Sequence, residues 1–253
     1  MSFYSLSPNE RKQLTEKINR ELELDFRFGK LDAVLQYFED EDTYVRKSAY
    51  LATGKIYFRS KALQKKILTT LWKVLESKDF RVRQSAINAA GEIGMQDFEA
   101  VQHFFDKGLF DAHHSPRNAV IGSVKKMGQK NPRPVMKWAK NYLKHPDKEV
   151  RREICHGIEL RGRTHPQDIL PLLKTLQHDK TARVRKTLVH VLGQIAYKKG
   201  CLATVIADLN KWENKALTDE AVDEIIDVFE RYKNFASMSQ EEAIRYIGKH
   251  YHK

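Results

Sequence analysis

Val184–Ile195 reads VRKTLVHVLGQI, and the same pattern stands upstream at Val82–Ile93 (VRQSAINAAGEI) and Val45–Ile56 (VRKSAYLATGKI). On a period of 3.6 residues, Val184, Leu188, Val191, Leu192 and Ile195 share one face, which must be covered by another apolar helix. One helical hairpin cannot cover that face alone, so the copies must stack on one another. The arginine of each copy sets the register at Arg46, Arg83 and Arg185, with weaker copies at Arg117 (PRNAVIGSVKKM) and Arg151 (VRREICHGIEL). One further step reaches Asp219, after which Val222, Ile225, Ile226 and Phe229 continue the apolar spacing without the arginine. Five repeats and a degenerate sixth fit a stack whose terminal unit is atypical.

The 253 residues therefore predict an all-α fold, a right-handed α-solenoid of about six HEAT-like helical hairpins with terminal cap helices. Sustained period-two alternation between turn residues is absent, which excludes a β architecture. The repeat argues for a single domain over 1–253, with an N-terminal cap over 1–28, repeats over 29–232 and a C-terminal cap over 233–253. Ser7-Pro8-Asn9-Glu10 is a complete helix start, a capping residue followed by proline and a closing glutamate, and predicts a helix to about Leu24. Later first helices are expected at Leu31–Phe38, Ala62–Leu75, Phe98–Phe110, Pro134–Leu143, Pro166–Leu176 and Leu202–Trp212. Thr164 and Gln167 offer a further capping box, Pro171 a kink, and Ser239 the start of a last helix. The closing His250-Tyr251-His252-Lys253 reads as a frayed tail.

No apolar run approaches a membrane span, and MSFYSLSPNERKQ lacks the apolar core of a signal peptide. Cys155 and Cys201 fall on apolar positions of different repeats and read as reduced core residues. Together these features predict a cytoplasmic chain, without membrane association, as a monomer. The net charge of +12 is unevenly placed: residues 112–200 carry 20 Lys and Arg against 6 Asp and Glu, whereas the chain from Thr218 carries 5 against 8. A concentrated basic stretch is the electrostatic footprint of a polyanion partner.

In HEAT-type repeats the recurring arginine pairs with an acid of the neighbouring turn. Asp42, Asp79 and Asp147, each four residues before it, are the expected partners of Arg46, Arg83 and Arg151 in a structural ladder. Positions one, five and nine after the arginine lie on another face. They read Lys47-Leu51-Lys55, Gln84-Asn88-Glu92, Asn118-Gly122-Lys126, Arg152-His156-Leu160, Lys186-His190-Gln194 and Glu220-Glu224-Val228. Lys47, Gln84, Asn88, Asn118, Lys126, Arg152, His156, Lys186 and His190 are the expected nucleic-acid-binding residues, since amides, imidazoles and cations suit phosphates and base edges.

The run from Trp138 to Tyr197, with its VRR-type helix, PLL-containing helix and VRK-type helix, resembles the HEAT-like DNA alkylation-repair family. The resemblance implies a basic concave face that cradles damaged duplex DNA. It also implies metal-free excision of N-alkylated purines by a cleft aspartate among aromatic residues. The family's cleft arginine matches Arg152. Its aspartate falls by register on Asn118, or else on Arg117, and a cleft tryptophan falls on His190. Neither Asn118 nor Arg117 is an acid, and a developing sugar cation needs a counter-charge. Glu92 and Asp111 are the nearest substitutes as catalytic candidates. The predicted partner is duplex DNA, alkylated or not; the alternative is an HEAT-repeat scaffold that holds an acidic protein segment without enzymatic activity.

No glycine-rich phosphate loop or serine elbow occurs. The histidines show no Cys or carboxylate at ligand spacing, so no metal and no cofactor are expected.

Overall fold

The computed structural model describes residues 3–252, and its first helix, α1 (Pro8–Phe28), begins at the predicted start signal. The Glu10 amide donates to Ser7 Oγ at 3.3 Å, and the Ser7 amide donates back to Glu10 Oε2 at 2.8 Å, so two otherwise orphaned donors are satisfied. The helix continues past Leu24 because Phe26 still faces the core and Asp25, also buried, accepts the Val34 amide at 3.0 Å. Gly29, at φ 69°, adopts the left-handed conformation that stops it.

Two compact units follow from the chain's internal packing, Met1–Asn131 and Pro132–Lys253. The first holds α1 and three hairpins, α2 (Asp32–Glu39) with α3 (Thr43–Arg59), α4 (Gln64–Val74) with α5 (Phe80–Gly94), and α6 (Phe98–Gly108) with α7 (His114–Lys130), and α1 packs on α2, α3 and α4. In the second, the first helices of the repeats are α8 (Pro132–Tyr142), α11 (Pro166–Leu173) and α13 (Cys201–Leu209). The second helices there are α9 (Lys148–Gly157), continued after a break as α10 (Glu159–Gly162), then α12 (Ala182–Gln194) and α14 (Lys215–Arg231). The last helix, α15 (Gln240–His250), starts at a capping box between Ser239 and Glu242 and packs on α13 and α14. No strand occurs among the described residues. The chain is an all-α solenoid built of helical hairpins.

The apolar register is the predicted one. Val45, Ala49, Val82, Ala86, Ile154, Val184, Leu188 and Leu192 are all buried, as are Cys155 and Cys201, both free thiols. Burial pushes both thiols up from their ordinary pKa, which keeps them protonated and unreactive.

Two local expectations, the capping box and the frayed tail, fail, each for an identifiable reason. The capping box at Thr164 and Gln167 does not form: His165 takes the cap position, and Thr164 Oγ1 donates instead to the Arg161 carbonyl. Pro171 sits inside α11, which tightens into a 3-10 turn over Lys174–Leu176. The C-terminal residues are anchored rather than frayed as far as they are described. Tyr251 Oη donates within reach of Thr218 Oγ1 and Asp219, and the His252 amide donates to Asn210 Oδ1 at 2.9 Å. Lys253 lies outside the described residues.

The arginine ladder is present with different partners. Asp42, Asp79 and Asp147 are helix caps that accept the amides of Tyr44, Arg81 and Glu149. Each repeat arginine turns back instead onto the carbonyls of the turn before its own helix, as Arg83 does on Ser77 and Lys78 and Arg151 does on His145 and Pro146. The same clamp recurs at Arg46, Arg117 and Arg185. The acid comes from the following repeat: Arg83 pairs with both oxygens of Asp111 at 2.7 and 2.9 Å, and Arg151 with both of Asp179 at 2.6 and 3.1 Å. A planar guanidinium can satisfy a carboxylate and two carbonyls at once, which an ammonium cannot.

Burial alone would raise Asp111 and Asp179, but hydrogen bonds from Arg83 and Arg151, and from the His113 and Thr181 amides, hold both carboxyls below the usual range. A lowered folded-state pKa contributes stability that is complete above the unfolded value of about 3.9 and disappears as pH falls through the folded value. Asp111→Asn and Asp179→Asn should therefore lower stability at neutral pH and flatten its loss below about pH 4, measured by denaturant unfolding across pH.

Candidate nucleic-acid interface

Consecutive second helices pack directly on one another, α3 on α5 and α5 on α7 in the first unit, α9 on α12 and α12 on α14 in the second. Glycines at one register allow that approach. A Cβ on Gly54 would meet Glu92 Cβ at 2.7 Å, one on Gly91 would meet Ser123 Cβ at 2.7 Å, and one on Gly193 would meet Glu224 Cγ at 2.6 Å. The close approach sets neighbouring copies of the polar column side by side.

In the first unit, Lys47 and Asn118 are exposed, and Gln84 and Asn88 are half-buried. Lys126 reaches across to Glu92 Oε1 at 2.9 Å and lies over the Tyr50 ring at 5.6 Å. Glu92 is thus half-buried beside a cation, whereas Asp111 is engaged at both oxygens by Arg83. Of the two substitute acids, Asp111 is committed to the ladder and Glu92 faces the column.

In the second unit, Arg152 donates to Glu149 Oε2 at 2.9 Å and lies 3.5 Å from Glu153 Oε1. Glu149 also receives Arg183 at 3.2 Å. His156 Nε2 lies 3.2 Å from Glu159 Oε2, and His190 Nδ1 lies 3.5 Å from Glu224 Oε1. Lys186 is exposed and makes no ion pair among the described residues. The ninth position leaves the face in the later repeats, since Gln194 and Val228 are buried. Two steps of four residues rotate a helix position by about 80°, enough to carry it toward the neighbouring helix.

The residue that sequence reasoning missed is Glu159. It is 1 % exposed, accepts two hydrogen bonds from Arg163 at Oε1, and stands three residues after His156. The expectation that no carboxylate joins the histidines is corrected here: ligand atoms of His156, Glu159 and His190 all lie within 4.8 Å of one another. Aligning the repeats exposes the signal, because eight residues after the repeat arginine stand Gly54, Gly91, Lys125, Glu159 and Gly193, so that at Glu159 an acid takes the position that is glycine in three repeats. The break at Ile158 between α9 and α10 falls at this point.

Gly91→Ala should push α5 from α7 at a site where overpacking costs about 1–3 kcal/mol. Thermal unfolding should show the loss, with helical content unchanged below the transition.

Comparison with known proteins supports the repeat assignment. The HEAT-repeat family matches residues 31–124 and 135–215. No curated protein gives a significant match by sequence. Among solved structures, AlkD2 from Streptococcus mutans shares 16% identity at a TM-score of 0.54, covering 88% of this chain and 100% of that one. The smu.31 protein from Streptococcus mutans UA159 shares 17% at 0.53, covering 82% and 97%. A crescerin structure, described as using a TOG domain array to regulate microtubules, shares 17% at 0.51, covering 76% and 87%. At these identities the likeness is one of fold. No helix among the described residues is long and apolar enough to cross a membrane.

Proposed function

Because the chain belongs to the HEAT-repeat family, we propose that it binds duplex DNA through the polar column of its second helices, without standard alkylpurine excision. The observation that carries this reading is the concentration of positive charge, 20 basic against 6 acidic residues over 112–200. Diffuse solubility needs no such concentration, whereas phosphates do. The fold likeness to AlkD2 and the resemblance of Trp138–Tyr197 to the alkylation-repair family support the same reading.

The proposed contacts are Lys47, Gln84, Asn88, Asn118 and Lys126 on the first unit, and Arg152, His156, Lys186 and His190 on the second. They are not equivalent. Arg152 and Lys126 each hold a carboxylate, so a phosphate must compete with it, whereas exposed Lys186 carries its charge uncompensated. Lys186→Ala should weaken duplex binding on every sequence and reduce the slope of log affinity against log salt by about one. Arg152→Ala should reduce that slope less. Fluorescence anisotropy between low and physiological salt measures both. A slope near zero, unaffected by either change, would favour the scaffold reading, in which the column holds a protein segment.

The catalytic expectation follows from Asn118. An amide cannot offset the positive charge that develops on the sugar as a glycosidic bond breaks. Release of 3-methyladenine or 7-methylguanine should not exceed the spontaneous rate while binding persists, and Asn118→Asp, alone or with His190→Trp, should increase it. Robust release by the unaltered protein overturns this reading, and loss of that release in Glu92→Gln would identify the carboxylate responsible.

A further inference from the structure

Glu159 is a buried carboxylate at a register where three other repeats carry glycine. Arg163 holds its Oε1 at 2.9 and 2.5 Å, which neutralises the charge and fixes the side chain with Oε2 toward His156 Nε2, 3.2 Å away. The close packing of α9 on α12 brings His190, at the equivalent position of the next repeat, to the same point. On the far side of His190, Glu224 Oε1 lies 3.5 Å from Nδ1 and is itself paired with Arg231 at 3.2 Å. A carboxylate beside Nδ1 favours the tautomer with the proton there, leaving the Nε2 lone pair available.

We propose that His156, Glu159 and His190 form a three-ligand site for a divalent transition-metal ion, Zn2+ in the first instance, with the fourth position open to solvent. Two imidazole nitrogens and one carboxylate oxygen are the donor set of an open zinc site, and they disfavour Mg2+ and Ca2+, which take oxygen ligands. Bonds of about 2.0–2.2 Å require the ligand atoms to draw somewhat closer than 4.8 Å. The imidazoles can supply this movement, since the side chains of His156 and His190 are 37% and 45% exposed, while Glu159 remains held by Arg163. Arg163 and Glu224 then serve as the outer groups that orient ligands from behind. The site shares His156 and His190 with the proposed DNA contacts but does not rest on that reading, and its test contains no DNA.

Metal-free full-length protein is titrated with Zn2+ by calorimetry near pH 7.5, and Co2+ loading is followed by visible absorption. The expected result is one saturable equivalent, not displaced by excess Mg2+, with the visible bands of a four- or five-coordinate Co2+ ion. His156→Ala and His190→Ala should each weaken Zn2+ binding at least about 100-fold, and Glu224→Gln should weaken it by about 10–100-fold as an outer group. Both histidines are partly exposed, so circular dichroism should show the variants folded. Absence of a saturable equivalent overturns the proposal, and so does an equivalent that survives the double change His156→Ala, His190→Ala.

Discussion

The close approach of consecutive second helices is the constraint from which the remaining features follow. At Gly54, Gly91 and Gly193 a single methyl group would collide with the adjacent helix. That proximity brings each second helix directly against the next, with Glu92, Ser123 and Glu224 as the side chains that meet the glycines. It also places equivalent polar positions of successive repeats next to each other, so that Lys126 reaches Glu92 and His156 meets His190. The arginine clamp serves the same geometry from the other end of the helix. By holding the carbonyls of the turn before its own helix and an aspartate of the next repeat, Arg83 or Arg151 fixes where each second helix begins.

The repeat was legible because it rests on local periodicity: apolar spacing and the recurring arginine are properties of single helices, and the residues inferred from them are buried apart from Ile226, which is half-buried. The ladder partners were not legible in the same way. Asp79 and Asp147 lie near the arginines in sequence, but an aspartate just before a helix is first a cap for its free amides. The guanidinium's actual partners, Asp111 and Asp179, lie 28 residues onward and become neighbours only through stacking. The C-terminal tail was misread for a related reason, since the anchors of Tyr251 and His252 are Thr218, Asp219 and Asn210, all distant in sequence.

The polar column was legible as a face but not as a charge pattern. Reading one residue type at a time presents Arg152, Lys126 and the two histidines as free donors. In the fold each lies against an acid: Glu149, Glu92, Glu159 and Glu224. Coulomb attraction in the pairs of Arg152 with Glu149 and of Lys126 with Glu92 is moderated by solvent, and partly exposed pairs of this kind contribute about 0–1 kcal/mol to stability. Their larger effect is on recognition, because an incoming phosphate must displace or tolerate the resident carboxylate. Positive charge outside such pairs, as at Lys186, governs long-range attraction, while the paired cations set which ligands can dock closely.

Glu159 shows how a repeat fold acquires a local specialisation. At three other copies of this register glycine allows the close approach, a fourth carries Lys125, and α3, α5 and α7 run through the register without interruption. At Glu159 the helix is interrupted at Ile158 and Arg163 stands as counter-ion, while α9 still packs on α12. A buried ion pair is seldom more stabilising than a well-packed apolar contact, so packing gives no reason to prefer this arrangement to the glycine of three other repeats. What the arrangement does provide is a carboxylate held by Arg163 beside two partly exposed imidazoles. Departure from the repeat consensus, with its local cost in helix continuity, is the physical mark that separates this position from the scaffold around it.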